Sequence, residues 1–231
     1  MTSTETGARL DGGPNGGRGG RRLRVRAAGL AVAAVVFGCA YFSARQSIKD
    51  GTWGLDLTIL NKSLGTAAFF LVTLSMFLTG VAFFSRRSNR PLAYRKYYGL
   101  AGFWTALAHG LVNHFALPAA GLHPERKIDA LLSDGPGLAA LVLFGAMAVL
   151  SNAAAKGRLG GEAWRKALRY GGYAALVLAL AHTALLKGSS WAKYFRSFDP
   201  VLPSLSLPAA VFAAGAVLLR LAVWAFSRRK R

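Results

Sequence analysis

Uncharged apolar runs long enough to cross a bilayer constrain this chain more than any other feature of its sequence. A membrane-spanning helix needs roughly 20 mainly apolar residues. Six segments approach or exceed that length: 27–43, 63–84, 92–118, 136–155, 165–187 and 205–227. The sequence therefore predicts an all-α membrane protein, a six-transmembrane-helix bundle that occupies residues 27–227.

The segments outside the apolar runs are polar and basic. Residues 1–26 combine many glycines with arginines, so we expect a disordered basic tail, and residues 228–231 form a basic end. Arginines directly before the first apolar run resemble the start of a signal peptide. Because no clean cleavage motif of small residues follows, we expect an uncleaved first helix.

The distribution of charge predicts the orientation of the bundle. The chain has 29 Lys and Arg against 9 Asp and Glu, a formal charge of +20. Six crossings would place twenty basic and three acidic residues on one side, and eight basic and six acidic residues on the other. The positive-inside rule then predicts cytoplasmic termini in a multi-pass protein of the cell membrane. Anionic lipid headgroups are a sufficient partner for these charges, so no nucleic acid is implied.

Several kinds of chemistry are excluded or disfavoured. A single cysteine, Cys39, rules out an internal disulfide, a CxxCH haem attachment and a cysteine-ligated iron–sulfur cluster. No glycine-rich nucleotide-binding motif is present. All nine carboxylates are expected in tails or loops, which argues against a proton- or cation-coupled transporter.

Two histidines are the ionisable residues of most interest inside the predicted spans. His109 follows Lys96 by thirteen residues, and His182 follows Arg169 by thirteen. At 1.5 Å per residue, both rise roughly 20 Å from the inner basic edge and reach one level in the outer half of the membrane. Two imidazoles at one level could hold a flat iron porphyrin, one at each axial position. The alternative is that each makes only an interhelical hydrogen bond.

The neighbourhood of this pair contains small and aromatic residues. Phe103 and Trp104 are expected to pack on a macrocycle, and five glycines to remove bulk beside it: Gly99, Gly102, Gly110, Gly171 and Gly172. His114 lies five residues after His109, about 140° around an α-helix, so we expect it outside the site. His123 is expected in a loop.

Two segments carry a resemblance to a known family. Residues 94–100, Tyr-Arg-Lys-Tyr-Tyr-Gly-Leu, precede Phe103 and His109, and residues 164–170, Trp-Arg-Lys-Ala-Leu-Arg-Tyr, precede Tyr173 and His182. With these motifs the chain resembles the ferric reductase-like transmembrane domain family. That family includes membrane ferric reductases, the membrane parts of NADPH oxidases and the haem-binding subunit of the bacterial periplasmic methionine sulfoxide reductase system.

The resemblance implies one b-type haem whose iron has His109 and His182 as axial ligands. Arg95 and Arg169 stand where family members often carry the histidines of an inner haem, so one haem is expected. That family's fused flavin and nicotinamide domain is not expected in this chain. The implied electron donor is therefore a membrane quinol or a separate flavoprotein, and the acceptor is extracytoplasmic.

Other functions remain open on the sequence alone. The chain could be the membrane component of an oxidoreductase, or a family member that has lost haem. It could also be a cofactor-free anchoring or assembly subunit, or a small transporter, in which both histidines are structural.

Overall fold

Helices account for nearly all of the backbone in the computed structural model, which describes residues 15–84, 90–122, 128–199 and 201–228. No strand occurs within these ranges, which confirms the all-α prediction for them. In chain order the elements are α1 (Asn15–Asp50), α2 (Leu57–Phe84), α3 (Arg90–Leu111), a π-helical turn (Val112–Ala116), α4 (Leu117–Ala119), α5 (Ile128–Leu150), α6 (Ala153–Leu159), α7 (Gly161–Ser197) and α8 (Ser206–Arg228).

Four helices of the described chain are long and apolar enough to cross a membrane. They comprise Gly19–Asp50 in α1, together with α2, α7 and α8. Within α5 the apolar stretch is the shorter segment Asp134–Leu150, and α3 carries Arg95 and Lys96 in its first turns. Such apolar helices are suited to a lipid bilayer. Length and apolarity thus support four of the six predicted spans directly.

The first helix begins earlier than the sequence suggests. We expected a disordered tail up to residue 26, but α1 starts at Asn15, so residues 15–26 are helical. Adding residues to an existing helix costs little free energy compared with nucleating one, and the apolar run supplies the nucleus. The remainder of the predicted tail, residues 1–14, and the last three residues of the basic end, 229–231, lie outside the described residues.

Two predictions are wrong, one about the start of the fourth span and one about the positions of the carboxylates. Pro136, which we interpreted as its start, lies inside α5, which begins at Ile128 and ends at Leu150. Asp134 therefore lies within a helix, and Asp50 and Glu162 lie in the end turns of α1 and α7. The expectation that every carboxylate lies in a tail or loop does not hold. Membrane helices tolerate an internal proline because neighbouring groups satisfy the backbone oxygen that loses its hydrogen bond.

The bundle is built from two closely packed antiparallel helix pairs. In the first pair, α2 packs on α3: a Cβ at Gly102 would lie 2.7 Å from Val72 Cγ2. In the second pair, α5 packs on α7: a Cβ at Gly171 would lie 3.4 Å from Met147 Sδ. Contacts between the two pairs are far sparser than contacts within them.

A buried apolar core joins the two pairs to α8. It contains Phe69 and Met76 of α2, Phe144 of α5 and Leu176 of α7. The contribution of α8 consists of small side chains: Ala209, Ala210, Ala213 and Ala216. Small residues let helix backbones approach closely, which is how helices associate where no water drives them together.

Both ends of the described chain lie at one end of this bundle. Near the start of α1, Arg26 Nη1 donates a hydrogen bond of 2.8 Å to Tyr94 Oη at the start of α3. Near the end of α8, the ring of Phe226 lies 5.9 Å from that of Phe84 at the end of α2. We call this the basic end of the bundle and the opposite end the far end.

Candidate functional site

The His109 ring lies in the interface between α3 and α2. A Cβ at Gly65 would lie 3.0 Å from His109 Cε1 and 3.2 Å from Nε2, so the imidazole occupies the space that a side chain at Gly65 would need. His109 Nδ1 lies 3.0 Å from the backbone oxygen of Asn61, one turn away on the same helix as Gly65. The ring is thus held at its face by a glycine and at its edge by a carbonyl.

The His182 ring has a matching position in the second helix pair. It projects from α7 onto α5, where a Cβ at Gly137 would lie 2.7 Å from His182 Nδ1 and 2.9 Å from Cε1. Both histidines are half-buried. Each helix pair therefore carries one histidine, and each histidine lies over a glycine of its pair.

The two rings lie at one level of the bundle, as their spacing in the sequence predicts. Met76 of α2 contacts Gly172 of α7, where a Cβ would lie 2.5 Å from Met76 Cε, so these two residues share a height along the bundle axis. Gly65, which faces His109, precedes Met76 by eleven residues, and His182 follows Gly172 by ten. At 1.5 Å per residue, the rings lie roughly 16 and 15 Å from that contact, toward the far end.

Other titratable groups surround this level. His182, His114 and Asp134 are close enough to His109 to interact with it electrostatically. Among the residues that the structure describes, no three or more His, Cys, Asp and Glu side chains converge as a metal-binding group. The arrangement supplies two imidazole rings, with a carboxylate one turn of α5 away from Gly137.

The aromatic and small residues expected beside the two histidines lie at other positions in the bundle. Trp104 is 63% exposed and lines a cavity among α1, α3 and α5 on the basic-end side of the rings, so its packing on a macrocycle stays a prediction. Phe103 is half-buried and contacts Gly145 of α5. Gly102 and Gly172 serve helix packing against Val72 and Met76 on the basic-end side of the rings. Composition alone does not distinguish the inner face of a helix from its outer face.

His114 lies in the π-helical turn that directly follows the helix segment carrying His109. In a π-helix the hydrogen bonds run from residue i to i+5. The angle of about 140° between His109 and His114 assumed an uninterrupted α-helix, so it does not describe this segment. His114 is half-buried and interacts electrostatically with His109. His123 lies outside the described residues.

Sequence reasoning missed three residues of the site. Gly65 and Gly137 provide the surfaces against which the two rings lie, and the carbonyl of Asn61 binds the edge of the His109 ring. A signal for the two glycines was available. Each lies in a span that runs antiparallel to a histidine-bearing span, at the level of its histidine. The Asn61 contact had no such signal, because any residue has a backbone carbonyl.

The positions expected for an inner haem lie near the basic end. Arg95 interacts electrostatically with Arg169, Tyr173 and Arg220. The backbone oxygen of Arg95 accepts a hydrogen bond of 2.7 Å from Ser75 Oγ. Arginine offers only donors and does not bind haem iron, so these positions offer no axial ligands.

The chemistry of the site follows from the His109 contact. A backbone carbonyl only accepts hydrogen bonds, so Nδ1 of His109 must carry the proton in the 3.0 Å contact with Asn61. In the neutral ring, Nε2 then keeps its lone pair. Metal-binding histidines commonly have this arrangement, in which the carbonyl fixes both the tautomer and the ring orientation.

No protein-family model matches the chain, and no curated protein matches it. The likeness to ferric reductase-like transmembrane domains accordingly stays a prediction from residues 94–100 and 164–170, together with the histidines that follow them.

Proposed function

We propose that the chain is an integral membrane electron-transfer protein that binds one b-type haem between His109 and His182. The observation that carries the proposal is the placement of two imidazole rings at one level, one on each of two closely packed helix pairs. Each ring belongs to a different pair, so a planar group held by both would lie between the pairs, where helix contacts are sparse.

The local geometry fits an axial ligand role. The Asn61 carbonyl holds the proton of His109 on Nδ1, which leaves Nε2 as the nitrogen able to bind iron. Gly65 and Gly137 let each ring lie directly against the neighbouring helix, because neither glycine has a side chain that would occupy the space of the ring. A haem iron bound by two histidines supplies reversible one-electron transfer.

Cations lie beyond the rings toward the far end of the bundle. Lys62 precedes Gly65 by three residues on α2, and Lys187 follows His182 by five on α7. Lys187 is half-buried and interacts electrostatically with Lys62 and Arg45. None of these three cations forms an ion pair within the described chain. They would pair with the propionates of a haem at the histidine level.

The proposal includes six crossings of the cell membrane with both termini in the cytoplasm. Support comes from the alternating directions of α1, α2, α3, α5, α7 and α8, and from the concentration of basic residues at the end where both termini lie. The π-helical turn and α4 extend α3 to Ala119, which brings it to a spanning length. The electron donor in this proposal is a quinol or a separate flavoprotein, and the acceptor is extracytoplasmic.

A second function is favoured by the same hydrogen bond. The contact between His109 and Asn61 joins α3 to α2, which is what a purely structural histidine in a membrane bundle does. In this alternative the chain is a cofactor-free anchoring or assembly subunit. The two functions differ in one property, the presence of haem.

The first test is a reduced-minus-oxidised absorption spectrum of the full chain, purified in detergent after expression with ample haem supply. A pyridine haemochrome assay gives the stoichiometry. We expect one b-type haem per chain. Absence of haem from folded protein would remove the electron-transfer proposal and leave the anchoring function.

Variants then assign the ligands. His109→Ala and His182→Ala should each abolish bound haem, because two-sided coordination needs both rings. His114→Ala is the matched control and should keep the haem content of the unchanged protein, since His114 is near the pair but outside the proposed ligand set. Haem retained at full stoichiometry in either ligand variant would contradict the assignment.

A further inference from the structure

Two cavities open beside each other near the basic end of the bundle. The inner cavity, about 410 Å³, lies among α2, α3, α5 and α7 and reaches Met76 and Phe144 of the core. The side cavity, about 460 Å³, lies among α1, α3 and α5. The two share four lining residues: Lys96, Leu100, Ala148 and Ser151.

The charge around these cavities has one sign. Arg95, Lys96 and Lys156 line the inner cavity, and Arg24 and Lys96 line the side cavity. Neither lining contains a carboxylate among the described residues, and none of the four cations has an ion-pair partner there. Lys96 and Lys156 are exposed, whereas Arg95 is half-buried. The cations therefore have positive charge that nothing in the described chain neutralises.

Below this charged rim the walls are mainly apolar. Val72, Phe144 and Met147 line the depth of the inner cavity, and Ala27, Ala101 and Trp104 line the side cavity. A ligand that fits must combine an anionic group at the rim with apolar parts that enter the two cavities. Leu100 and Ala148 stand between the cavities, so the apolar part should be branched.

We propose that the paired cavities bind one anionic diacyl phospholipid, with its phosphate at Lys96 and one acyl chain in each cavity. Basic pockets between membrane helices are sites at which anionic lipid headgroups bind. A neutral isoprenoid quinone would make no use of the unpaired cations, and a free phosphate would leave both apolar cavities unfilled. The proposal does not depend on haem, because the cavities lie on the basic-end side of the histidine level.

The test uses the full chain in detergent, freed of lipid and titrated separately with dioleoyl phosphatidylglycerol and dioleoyl phosphatidylcholine. Native mass spectrometry counts the lipids bound. We expect one phosphatidylglycerol per chain, bound at least tenfold more tightly than phosphatidylcholine. The double variant Lys96→Gln/Lys156→Gln should weaken phosphatidylglycerol binding about twenty-fivefold, from roughly fivefold per cation.

The matched control removes the same charge elsewhere at the basic end. Arg158 on α6 and Arg165 on α7 are exposed, form no ion pair within the described chain and line neither cavity. Arg158→Gln/Arg165→Gln should leave phosphatidylglycerol binding unchanged. An equal loss in this control would overturn the proposal, because it would show only diffuse attraction to the surface. Equal affinity for the two lipids would overturn it as well.

A second variant tests the cavities independently of charge. Ala148 lines both cavities, so Ala148→Phe should fill them and lower phosphatidylglycerol occupancy while every cation remains. Unchanged occupancy in folded protein would contradict the proposed position of the acyl chains. Displacement of the lipid by excess glycerol phosphate would contradict the proposal, because it would show that the site binds the phosphate and not the acyl chains. A co-purified quinone in place of phospholipid would also refute the proposal.

Discussion

The two helix pairs that carry the histidines are packed by different means. Between α2 and α3 the backbones themselves approach: a Cβ at Gly102 would lie 3.1 Å from the backbone nitrogen of Val72 and 3.3 Å from the backbone oxygen of Ala68. Between α5 and α7 the flexible side chain of Met147 fills the space over Gly171. At Gly102 the neighbouring atoms include the backbone of α2, whereas at Gly171 they belong to a flexible side chain alone.

This difference suggests a division of roles. Backbone atoms cannot change rotamer, so α2 and α3 hold His109 in a fixed frame. Methionine has three rotatable side-chain bonds and adapts to irregular gaps, so α5 and α7 can shift relative to each other at small cost. A planar group entering between the pairs would be accommodated mainly by movement of the α5–α7 pair.

The largest effect should come from crowding the backbone interface. Gly102→Ala places a methyl group 2.7 Å from Val72 Cγ2 and 3.1 Å from the backbone nitrogen of Val72, which cannot move aside, so we expect a loss of about 2 kcal/mol in stability. Gly171→Ala meets Met147 Sδ at 3.4 Å, an ordinary contact, and should cost less than about 1 kcal/mol. Denaturation of the two variants in mixed micelles measures both values.

These two variants test the comparison directly. Both glycines lie within long helices, so general loss of helix geometry does not distinguish them. Similar losses of stability in the two variants would mean that the interfaces are equally rigid, and the division of roles would fail.

The next effect concerns the glycines under the rings. Gly65→Ala and Gly137→Ala each place a methyl group within about 3 Å of an imidazole, so each ring must shift. If the rings bind iron, haem affinity should fall roughly tenfold, as for other changes that reorient a ligand. Haem affinity should fall further in Gly65→Ala than in Gly137→Ala, because α5 can move away from the His182 ring whereas α2 cannot move away from the His109 ring.

Gly145→Ala provides the control for this prediction. Its Cβ would meet Phe103 at 3.4 Å, an ordinary contact away from both rings, so haem affinity should stay unchanged. Haem titration of the apoprotein compares the three variants. A greater loss for Gly137→Ala than for Gly65→Ala would reverse the assignment of the rigid and adaptable pairs.

Helix content and the level of the histidines could be predicted from the sequence for clear physical reasons. Apolar length reports burial in a bilayer, and the rise per residue is constant along a helix, so counting from Lys96 and Arg169 placed both rings at one level. Counting residues gives only the distance along the helix axis. It is accurate wherever the helix is regular between the two residues.

The contents of each helix face could not be predicted in the same way. Trp104 neighbours Phe103 in sequence but is far more exposed, because adjacent residues differ by about 100° around the helix and nothing in the composition says which one faces inward. The π-helical turn changed the angle between His109 and His114. Pro136 marked no helix end, because α5 continues through it.

The smallest effect should come from Asn61, whose backbone and side chain act separately. The backbone oxygen binds His109, while Nδ2 donates to Asn113 Oδ1 at 3.1 Å, and Oδ1 has no hydrogen-bond partner within the described chain. Asn61→Ala keeps the carbonyl and removes both the bond to Asn113 and the unpaired oxygen. We therefore expect a change in stability of about 1 kcal/mol or less and unchanged haem content. A loss of haem in this variant would show that the side chain, and not the carbonyl, orients His109, and the rigid frame of α2 and α3 would then depend on a rotatable group.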